Sequence, residues 1–502
     1  MSLALLILLP LVGGLLALYS ERINPGLPRW TALATVLLTF SYLLTLVPTE
    51  RLALVTVAAD PESWLMHTRA EWIPRFGIAF ELAMDGLSLL LLVLTWLLGL
   101  IAVAASWSEI DKRPGFFQAN LLWTLAGVTG VFLALDLLLY FLFWEVMLIP
   151  MYLLIAIWGH ENRAYAAMKF FIFTQVSGLL MLLSMVTLAY IAAGQTGQMS
   201  FSYFDLLRLE VDPQLGFWLM LGFFIAFTVK LPIFPFHTWL PDAHTQAPTA
   251  GSVLLAGILL KTGAYGLLRF CLPLFPEASQ DFAPVAVALG VAGVIYGAVL
   301  AFAQVDFKRL VAYSSVSHMG FVMLGLYALN DLGINGAIMQ MVTHGVSTAA
   351  LFMMAGALQH RLHTRDMRNM GGLWQDAPRM GACALFFAFA SLGLPGLGNF
   401  VAEFLVLLGL FAVYPIMTAL AALGMVTAAV YSLWMMQQAF FGTPRDSRVV
   451  DDFGAREMLT MGAMMLALLW LGLYPQPVLD LVRPVLEGLH AGTRLPDLAV
   501  AP

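Results

Sequence analysis

The chain has 502 residues, of which 61% are hydrophobic and 11% are charged. Soluble proteins carry about 25% charged residues, and a soluble fold of this size could not bury so much apolar surface. The composition therefore indicates a membrane protein with many spans. The formal net charge of −6 is spread over loops and argues against nucleic acid binding.

The apolar stretches predict an all-α polytopic membrane protein. A spanning helix needs about 20 mainly apolar residues, and on this measure we expect fourteen spans. They begin near Leu3, Trp30, Leu87, Phe117, Leu137, Tyr165, Leu215, Thr249, Pro284, Phe307, Ile334, Met380, Ile416 and Leu459. The N-terminus has no basic region and no clear cleavage site, so we expect a retained first helix rather than a signal peptide.

Two stretches lie outside this pattern. The segment from Thr49 to Asp85 is mixed polar and aromatic, with a candidate short hairpin at Trp72 to Glu81. The tail after Pro475 is amphipathic and is expected to lie on the surface.

The placement of lysine and arginine predicts the orientation. If the loop after the first span is cytoplasmic, cytoplasmic loops hold 15 of these residues and the opposite side holds 7. The two that remain, Lys230 and Lys261, fall inside spans. Because cytoplasmic loops carry the excess of positive residues, we expect both termini outside.

An internal similarity suggests a repeat. The stretch FFIAFTVKLP ends at Pro232 and FFAFASLGLP ends at Pro395, 163 residues later. Both are apolar helices interrupted by Leu-Pro, and they cross in opposite directions on the alternation above. This pattern is typical of an inverted repeat with a broken helix in each half and a site near the bilayer midplane. The alternative is chance similarity in a phenylalanine-rich chain.

Ionisable residues inside spans are the main functional signal. They are costly in lipid unless they face protein or water. Six such residues are expected at membrane depth: Glu145, Lys230, Lys261, His318, His344 and Glu403. All six are types that can exchange protons, whereas arginine, which cannot, is absent from the set. A row of such groups, bridged by water, suits a proton path across the membrane.

Several of these residues also have a structural interpretation. Glu145 and Lys230 could form a structural ion pair that locks two helices. His318 could bond a serine such as Ser314. Glu403 follows the segment GLPGLGNF and has no nearby base in the sequence.

Three further features are expected to have structural roles. Asp242 and His244 could cap helix ends in the break between spans. Asp306, Lys308 and Arg309 are expected in a solvated cytoplasmic turn. The two isolated cysteines, Cys271 and Cys383, are expected to be small buried hydrophobic residues.

Cofactor motifs are missing from the sequence. There is no GxGxxG after a strand, no Walker loop, no CxxCH and no metal-ligand cluster. We therefore expect that the chain binds no nicotinamide, flavin, haem, iron–sulfur cluster or metal, and that electrons do not pass through it.

Four stretches resemble one family closely. FWEVMLIPMYLLIAIWG, VKLPIFPFHTWLPDAHTQAPTAGSVLLAGILLKTGAYGLLR, DFKRLVAYSSVSHMGF and LPGLGNFVAEF are similar to the antiporter-like membrane subunits of bacterial respiratory complex I, the proton-translocating NADH-quinone oxidoreductase. The resemblance covers nearly the whole chain. Glu403 distinguishes it from the sister chains L and N of that complex, which generally carry a lysine at this place.

The resemblance implies an architecture and a set of partners. It implies fourteen core helices and two inverted five-helix repeats with broken helices at Pro232 and Pro395. The corresponding regions are residues 1–115 (first helices and external loop), 116–272 (first repeat), 273–440 (second repeat) and 441–502 (last helix and tail). It also implies a bacterial inner-membrane location, sister chains L and N as neighbours, and NADH, FMN, iron–sulfur clusters and quinone in partner subunits.

The resemblance further implies roles for the six residues at membrane depth. Glu145 would pair with Lys230, and Lys261 would bridge two half-channels. His318 and His344 would lie in a central hydrophilic axis, with Glu403 as the terminal residue on the exit side. Two alternatives stay open: a subunit of a multisubunit cation/proton antiporter or membrane-bound hydrogenase, and a structural spacer that tolerates neutral substitutions.

Overall fold

The computed structural model describes residues 3–47, 56–57, 59–444 and 450–492. Thirteen described helices are long and apolar enough to cross a membrane. The first six are α1 (Ala4–Glu21), α2 (Leu27–Leu46), α3 (Gly86–Ala105), α4 (Pro114–Leu133), α5 (Leu137–Trp158) and α6 (Arg163–Thr196). Arg51, Arg445, Arg448 and Arg494, which contribute to the predicted orientation, lie outside the described residues.

The segment before α3 forms the predicted hairpin, which is longer than expected. Strand β1 (Met66–Ile73) pairs antiparallel with β2 (Ile78–Met84). The β2 strand is mostly buried, and its last residues lead directly into α3. Asp85 begins that helix by accepting a hydrogen bond from the Ser88 N–H.

The first broken helix lies where the sequence predicts it. After the short helix α7 (Tyr203–Leu206), α8 (Pro213–Lys230) ends one residue before Leu231-Pro232, and α9 (Trp239–Gln246) resumes after eight residues. Proline has no N–H and disfavours helix at the residue before it, so the helix stops there. Lys230 is therefore the last residue of a half-helix, where the helix dipole favours a positive charge.

The next span departs from regular α geometry on both sides of Lys261. It runs from Thr249 to Leu274 and consists of α10 (Thr249–Leu254), a π-helical turn (Leu255–Leu259), α11 (Leu260–Gly266), a second π-helical turn (Leu267–Cys271) and α12 (Leu272–Leu274). Every residue of its most apolar window is buried. Wider π-helical turns occur mostly at functional sites, and no residue pattern had predicted them.

The second half of the chain contains the other broken helix. Its helices are α13 (Pro276–Phe302), α14 (Phe307–Tyr327), α15 (Asp331–Leu362), α16 (Leu373–Asp376), α17 (Pro378–Ser391), α18 (Gly398–Val413), α19 (Pro415–Ala439), α20 (Ala455–Leu473) and α21 (Gln476–Gly492). The predicted twelfth span is divided into α17 and α18 around Pro395. The thirteen long helices and this divided span account for the fourteen expected spans, whereas the inverted-repeat relationship stays a prediction.

The starts of two helices in this half, α13 and α17, have features that the apolar pattern does not predict. The ninth span was expected from Pro284, but α13 begins at Pro276 because polar residues such as Glu277 extend the helix beyond its apolar part. The start of α17 is capped from afar, since the Asp452 carboxylate accepts hydrogen bonds from the N–H groups of Arg379 and Met380. These hydrogen bonds outweigh burial and lower the pKa of Asp452.

Helix α21 packs on α3 through a buried face.

Candidate functional site

Five of the six predicted membrane-depth residues are buried. Lys230, Lys261 and His344 have no exposed surface. His318 and Glu403 are almost as deeply buried. They lie on five different helices, so helix packing decides which of them meet.

Lys261 and His344 are in direct contact. The Lys261 Nζ atom lies 2.8 Å from Nδ1 of His344. The same ammonium group donates a hydrogen bond to the carbonyl oxygen of Ala256, which lies in the first π-helical turn. The Nε2 atom of His344 has no hydrogen-bond partner among the described residues.

His344 leads to the second histidine. The ring centroids of His344 and His318 are 5.5 Å apart, with the ring planes at 60°. The two residues come from the neighbouring helices α15 and α14. No direct hydrogen bond joins the two described rings, and a gap of this size is one that a single water molecule can bridge.

His318 connects to Glu403. The His318 Nδ1 atom lies 2.8 Å from Oε1 of Glu403, and the Gln340 amide donates to the same oxygen at 3.0 Å. On the other side of the ring, Nε2 of His318 lies 3.3 Å from the hydroxyls of Ser391 and Tyr431. Glu403 has no base nearby in the sequence, but helix packing brings His318 to it.

These four residues form one polar line, here called the central line, from Lys261 through His344 and His318 to Glu403, with a gap between the two histidine rings. Each member can both accept and release a proton, and the whole line is shielded from lipid. The Oε2 atom of Glu403 has no hydrogen-bond partner among the described residues. The line therefore ends in a carboxylate oxygen that is available to a further proton carrier.

Lys230 is not joined to this line by a hydrogen bond. Its Nζ atom has no hydrogen-bond partner in the described part of the chain, and no ion pair within 4.0 Å links it to Glu145. The ammonium lies instead 5.1 Å from the ring centroid of Trp144 and 5.3 Å from that of Phe170. A desolvated cation over an aromatic ring gains about 2 kcal/mol.

The helices that carry the two lysines nevertheless touch. A Cβ atom at Gly263 would lie 2.8 Å from the backbone nitrogen of Leu231. Gly263 lies two residues after Lys261, and Leu231 directly follows Lys230. Only a glycine permits this approach, which brings the backbones that carry Lys230 and Lys261 against each other.

Glu145 occupies a different environment. It is half-buried on α5, and Val146 and Ile149 on the same helix are exposed. The facing part of α6 exposes Ile172 and Val176. A carboxylate therefore lies near the middle of an otherwise apolar outer surface.

The short helix after the break contains a buried histidine. His244 lies in the last turn of α9, and its ring stacks on Phe352 with centroids 4.4 Å apart. Neither ring nitrogen has a hydrogen-bond partner among the described residues. Asp242, on the same helix, pairs with Lys169 at 2.7 Å.

The turn before α14 is not simply solvated. Lys308 is 1% exposed and its Nζ donates to the carbonyl oxygen of Ala247. Asp306 caps α14 through the Arg309 N–H. The expectation of a solvated turn is therefore wrong for Lys308, which packing draws beneath the loop between α9 and α10.

A cavity of about 200 Å³ is lined by residues of α3, α15 and α20 and of the loops near them. It is lined by residues that include Glu109, His160 and Thr249. The Glu109 carboxylate accepts the Thr249 N–H at the start of α10. Burial, together with the positive charges of Lys308 and Arg365, lowers the pKa of His160 to about 4, so this ring is neutral near pH 7.

Several site residues were missed by sequence reasoning. Gln340 precedes His344 by four residues and therefore lies on the same face of α15, a spacing that could have identified it. Ser391, Tyr431 and Trp144 carry no charge, and an uncharged residue in a span gives no comparable signal of cost. The expected bond between His318 and Ser314 does not form, because the Ser314 hydroxyl bonds the carbonyl of Val311 in its own helix.

Comparison with known sequences identifies relatives along the full chain. The family model described as NADH:quinone oxidoreductase/Mrp antiporter, TM, matches residues 134–430. NADH-quinone oxidoreductase subunit M from Pseudomonas aeruginosa is 52% identical and covers 99% of this chain and 100% of its own length. Subunit M from Escherichia coli K12 is also 52% identical and covers 96% of each chain.

Comparison with solved structures agrees. A chain of respiratory complex I from Thermus thermophilus superposes with a TM-score of 0.87 at 32% identity, covering 98% of this chain and 99% of that one. A chain of the Mrp complex from a Dietzia species gives a TM-score of 0.83 at 20% identity, covering 99% and 97%, which shows a shared fold alone. On the family match and the 52% identity to its relatives, the chain belongs to the NADH:quinone oxidoreductase/Mrp antiporter transmembrane family.

Proposed function

We propose that the chain is the M-type, proton-translocating membrane subunit of a bacterial NADH-quinone oxidoreductase. The full-length identity to M subunits supports the assignment to that enzyme. The single observation that carries the mechanism is the central line, in which Lys261, His344, His318 and Glu403 follow one another across buried contacts. Redox chemistry in other subunits drives the proton, and this chain provides its path.

The first step is electrostatic. A change of charge at the neighbouring subunit alters the position of the Lys230 ammonium relative to Glu145. Two opposite unit charges 4 Å apart attract by about 4 kcal/mol at an effective dielectric constant near 20. The distance between Glu145 and Lys230 therefore changes the proton affinity of Lys230. The proton released by Lys230 then passes to Lys261, whose helix packs against the break after α8.

The second step follows the central line. Lys261 gives a proton to Nδ1 of His344, and His344 passes a proton to His318 through a bridging water. His318 gives the proton on Nδ1 to Oε1 of the Glu403 carboxylate, and the carboxylic acid formed there releases that proton to the outside and becomes a carboxylate again. Each transfer forms one N–H or O–H bond and breaks another, so charge moves without net chemistry. The buried, hydrogen-bonded geometry of His318 and Glu403 supports this order.

We further propose that the sister chains L and N flank this subunit. A charged carboxylate that faced lipid at the depth of Glu145 would cost at least about 2.5 kcal/mol. The half-buried position of Glu145 among exposed Val146 and Ile149 therefore supports protein contact at this face. Exposed apolar residues on α18 and α19, such as Phe411 and Val426, provide a second face.

The subunit spans the bacterial inner membrane many times, as its helices and relatives indicate. Within this proposal NADH, FMN, iron–sulfur clusters and quinone are bound by partner subunits, and this chain carries none. Both termini lie on the periplasmic side, which the excess of cytoplasmic lysine and arginine supports.

A redox-independent antiporter subunit is the second candidate. The Mrp chain supports it only through the shared fold, because the identity is 20%, whereas the relatives at 52% identity are M subunits. Sodium-dependent proton flux in membranes that lack NADH dehydrogenase subunits would favour this candidate.

Replacement of Lys230 tests the proposal. In the assembled enzyme, Lys230→Ala should nearly abolish proton pumping and depress coupled NADH oxidation by about 10-fold or more, since the proton loses its first carrier. The matched control is Lys112→Ala, at an exposed lysine in the loop before α4. Normal pumping by the Lys230 variant, with assembly intact on a native gel, would leave only the structural-spacer hypothesis.

A further inference from the structure

The surroundings of the Lys230 ammonium are unusual for a buried charge. The side chain has no exposed surface, and Nζ lacks a hydrogen-bond partner among the described residues. The ring faces of Trp144 on α5 and Phe170 on α6 lie close to it, with centroids 5.1 Å and 5.3 Å from Nζ. An aromatic face carries partial negative charge and attracts a cation without a carboxylate.

We propose that Trp144 and Phe170 form an aromatic cradle that positions Lys230 whenever its ammonium is separated from Glu145, with Trp144 as the main positioning residue. The proposal rests on the assigned role of Lys230 in proton transfer. It gives the ammonium two alternative places, one over the cradle and one beside the carboxylate.

Both rings are fixed by their own packing. The Trp144 ring contacts Phe227 of α8 with centroids 5.8 Å apart. The Phe170 ring contacts Trp239 at 5.2 Å, and the Trp239 indole N–H donates to the carbonyl oxygen of Val229. Phe227 and Val229 belong to the helix that ends at Lys230. The position of both rings is therefore tied, directly or through Trp239, to the helix that carries Lys230.

Sequence adjacency makes the cradle an alternative to the carboxylate. Trp144 and Glu145 are consecutive on α5, so their side chains leave the helix about 100° apart. The Trp144 Nε1 and Glu145 Oε1 atoms both lie near Gly178, where a Cβ would be 3.7 Å from the first and 3.4 Å from the second. One short movement of a flexible lysine side chain exchanges the ring for the carboxylate.

A fluorination series at position 144 tests this idea. Tryptophan analogues with one, two and three ring fluorines keep the shape of the residue but progressively weaken the attraction of its face for cations. We expect pumping and coupled NADH oxidation by the assembled complex to fall stepwise along the series. The control series is at Trp96, a fully buried tryptophan of α3 that is outside the proton path.

Two outcomes would overturn the proposal. Activity that is flat along the Trp144 series would make the ring a packing residue only, and an equal decline at Trp96 would show a general effect of fluorine. In either case a Lys230→Ala variant that does not pump would leave the proposed function standing.

Substitution gives a second readout. Trp144→Phe retains an aromatic face, whereas Trp144→Leu removes it, so Phe should restore most of the roughly 10-fold loss expected for Leu. Equal activity of the two assembled variants would contradict the cradle.

Discussion

The Lys261 Nζ atom lies 2.8 Å from Nδ1 of His344, and neither side chain has any exposed surface. Lysine and histidine both carry positive charge when protonated, so two such groups in contact share a proton rather than hold one each. In the proposed path, His344 is therefore the group that accepts a proton from Lys261.

The first prediction concerns that acceptor. His344→Gln retains a polar side chain of similar size but cannot take up a proton. We expect pumping to fall by about 10-fold or more, because Lys261 loses its partner. The matched control is His360→Gln, near the end of the same helix, where the ring is exposed. Proton pumping by the His344 variant at the level of the control would remove this histidine from the path.

The second prediction concerns packing between α13 and α14. A Cβ atom at Gly320 would lie 2.8 Å from the Gly290 carbonyl oxygen and 2.8 Å from the Val294 nitrogen. Since these are backbone atoms, the two helices must move apart, and overpacking of this kind costs about 1–3 kcal/mol. Gly320→Ala should therefore lower the melting temperature of the complex.

The control for this prediction is Gly462→Ala on α20, where nothing lies within 4 Å of the added carbon. Its melting temperature should not fall, because alanine also favours helix. Equal stability of the two variants would mean that α13 and α14 are packed less tightly than described.

The third prediction concerns the pH dependence of stability and His160, which lies between α5 and α6. His160 has a pKa of about 4 in the folded chain, whereas an unfolded histidine titrates near 6.5. Between these values the unfolded state binds more protons, so the stability contributed by neutral His160 is lost as pH falls through this window. On lowering the pH from about 7 to about 5, thermal inactivation should accelerate more for the wild-type chain than for His160→Gln.

The His360→Gln variant again provides the comparison, since that ring is exposed. It should follow the wild-type curve. If His160→Gln follows the same curve, the histidine is not held neutral by its burial and the charges of Lys308 and Arg365.

Much of the fold could be predicted because the bilayer sets helix length. Spans expected from Leu87 and Leu137 correspond to α3 and α5 almost to the residue, and both Leu-Pro breaks were visible in the sequence. The early start of α13 was missed, because a search for apolar residues cannot detect a helix that extends into water. The π-helical turns beside Lys261 were missed because they follow from packing and not from any residue type.

The candidate site, like the fold, could be predicted from the sequence only in part. The six ionisable residues were found because each is costly in lipid. The resemblance implied their order, but their direct contacts could not be predicted from spacing, since His318 and Glu403 are 85 positions apart. The aromatic face over Lys230 was also hidden, because a tryptophan in an apolar span is ordinary until its neighbour is known.

The central claim is that a proton leaves through Glu403, and Glu403→Gln tests it most directly. Proton pumping is measured against NADH oxidation in membranes, with assembly checked on a native gel and with Glu277→Gln, an exposed residue of α13, as the control. The account predicts normal assembly with pumping and turnover falling together, because the amide cannot release a proton. Unchanged pumping would contradict it and would make Glu403 a structural partner of His318.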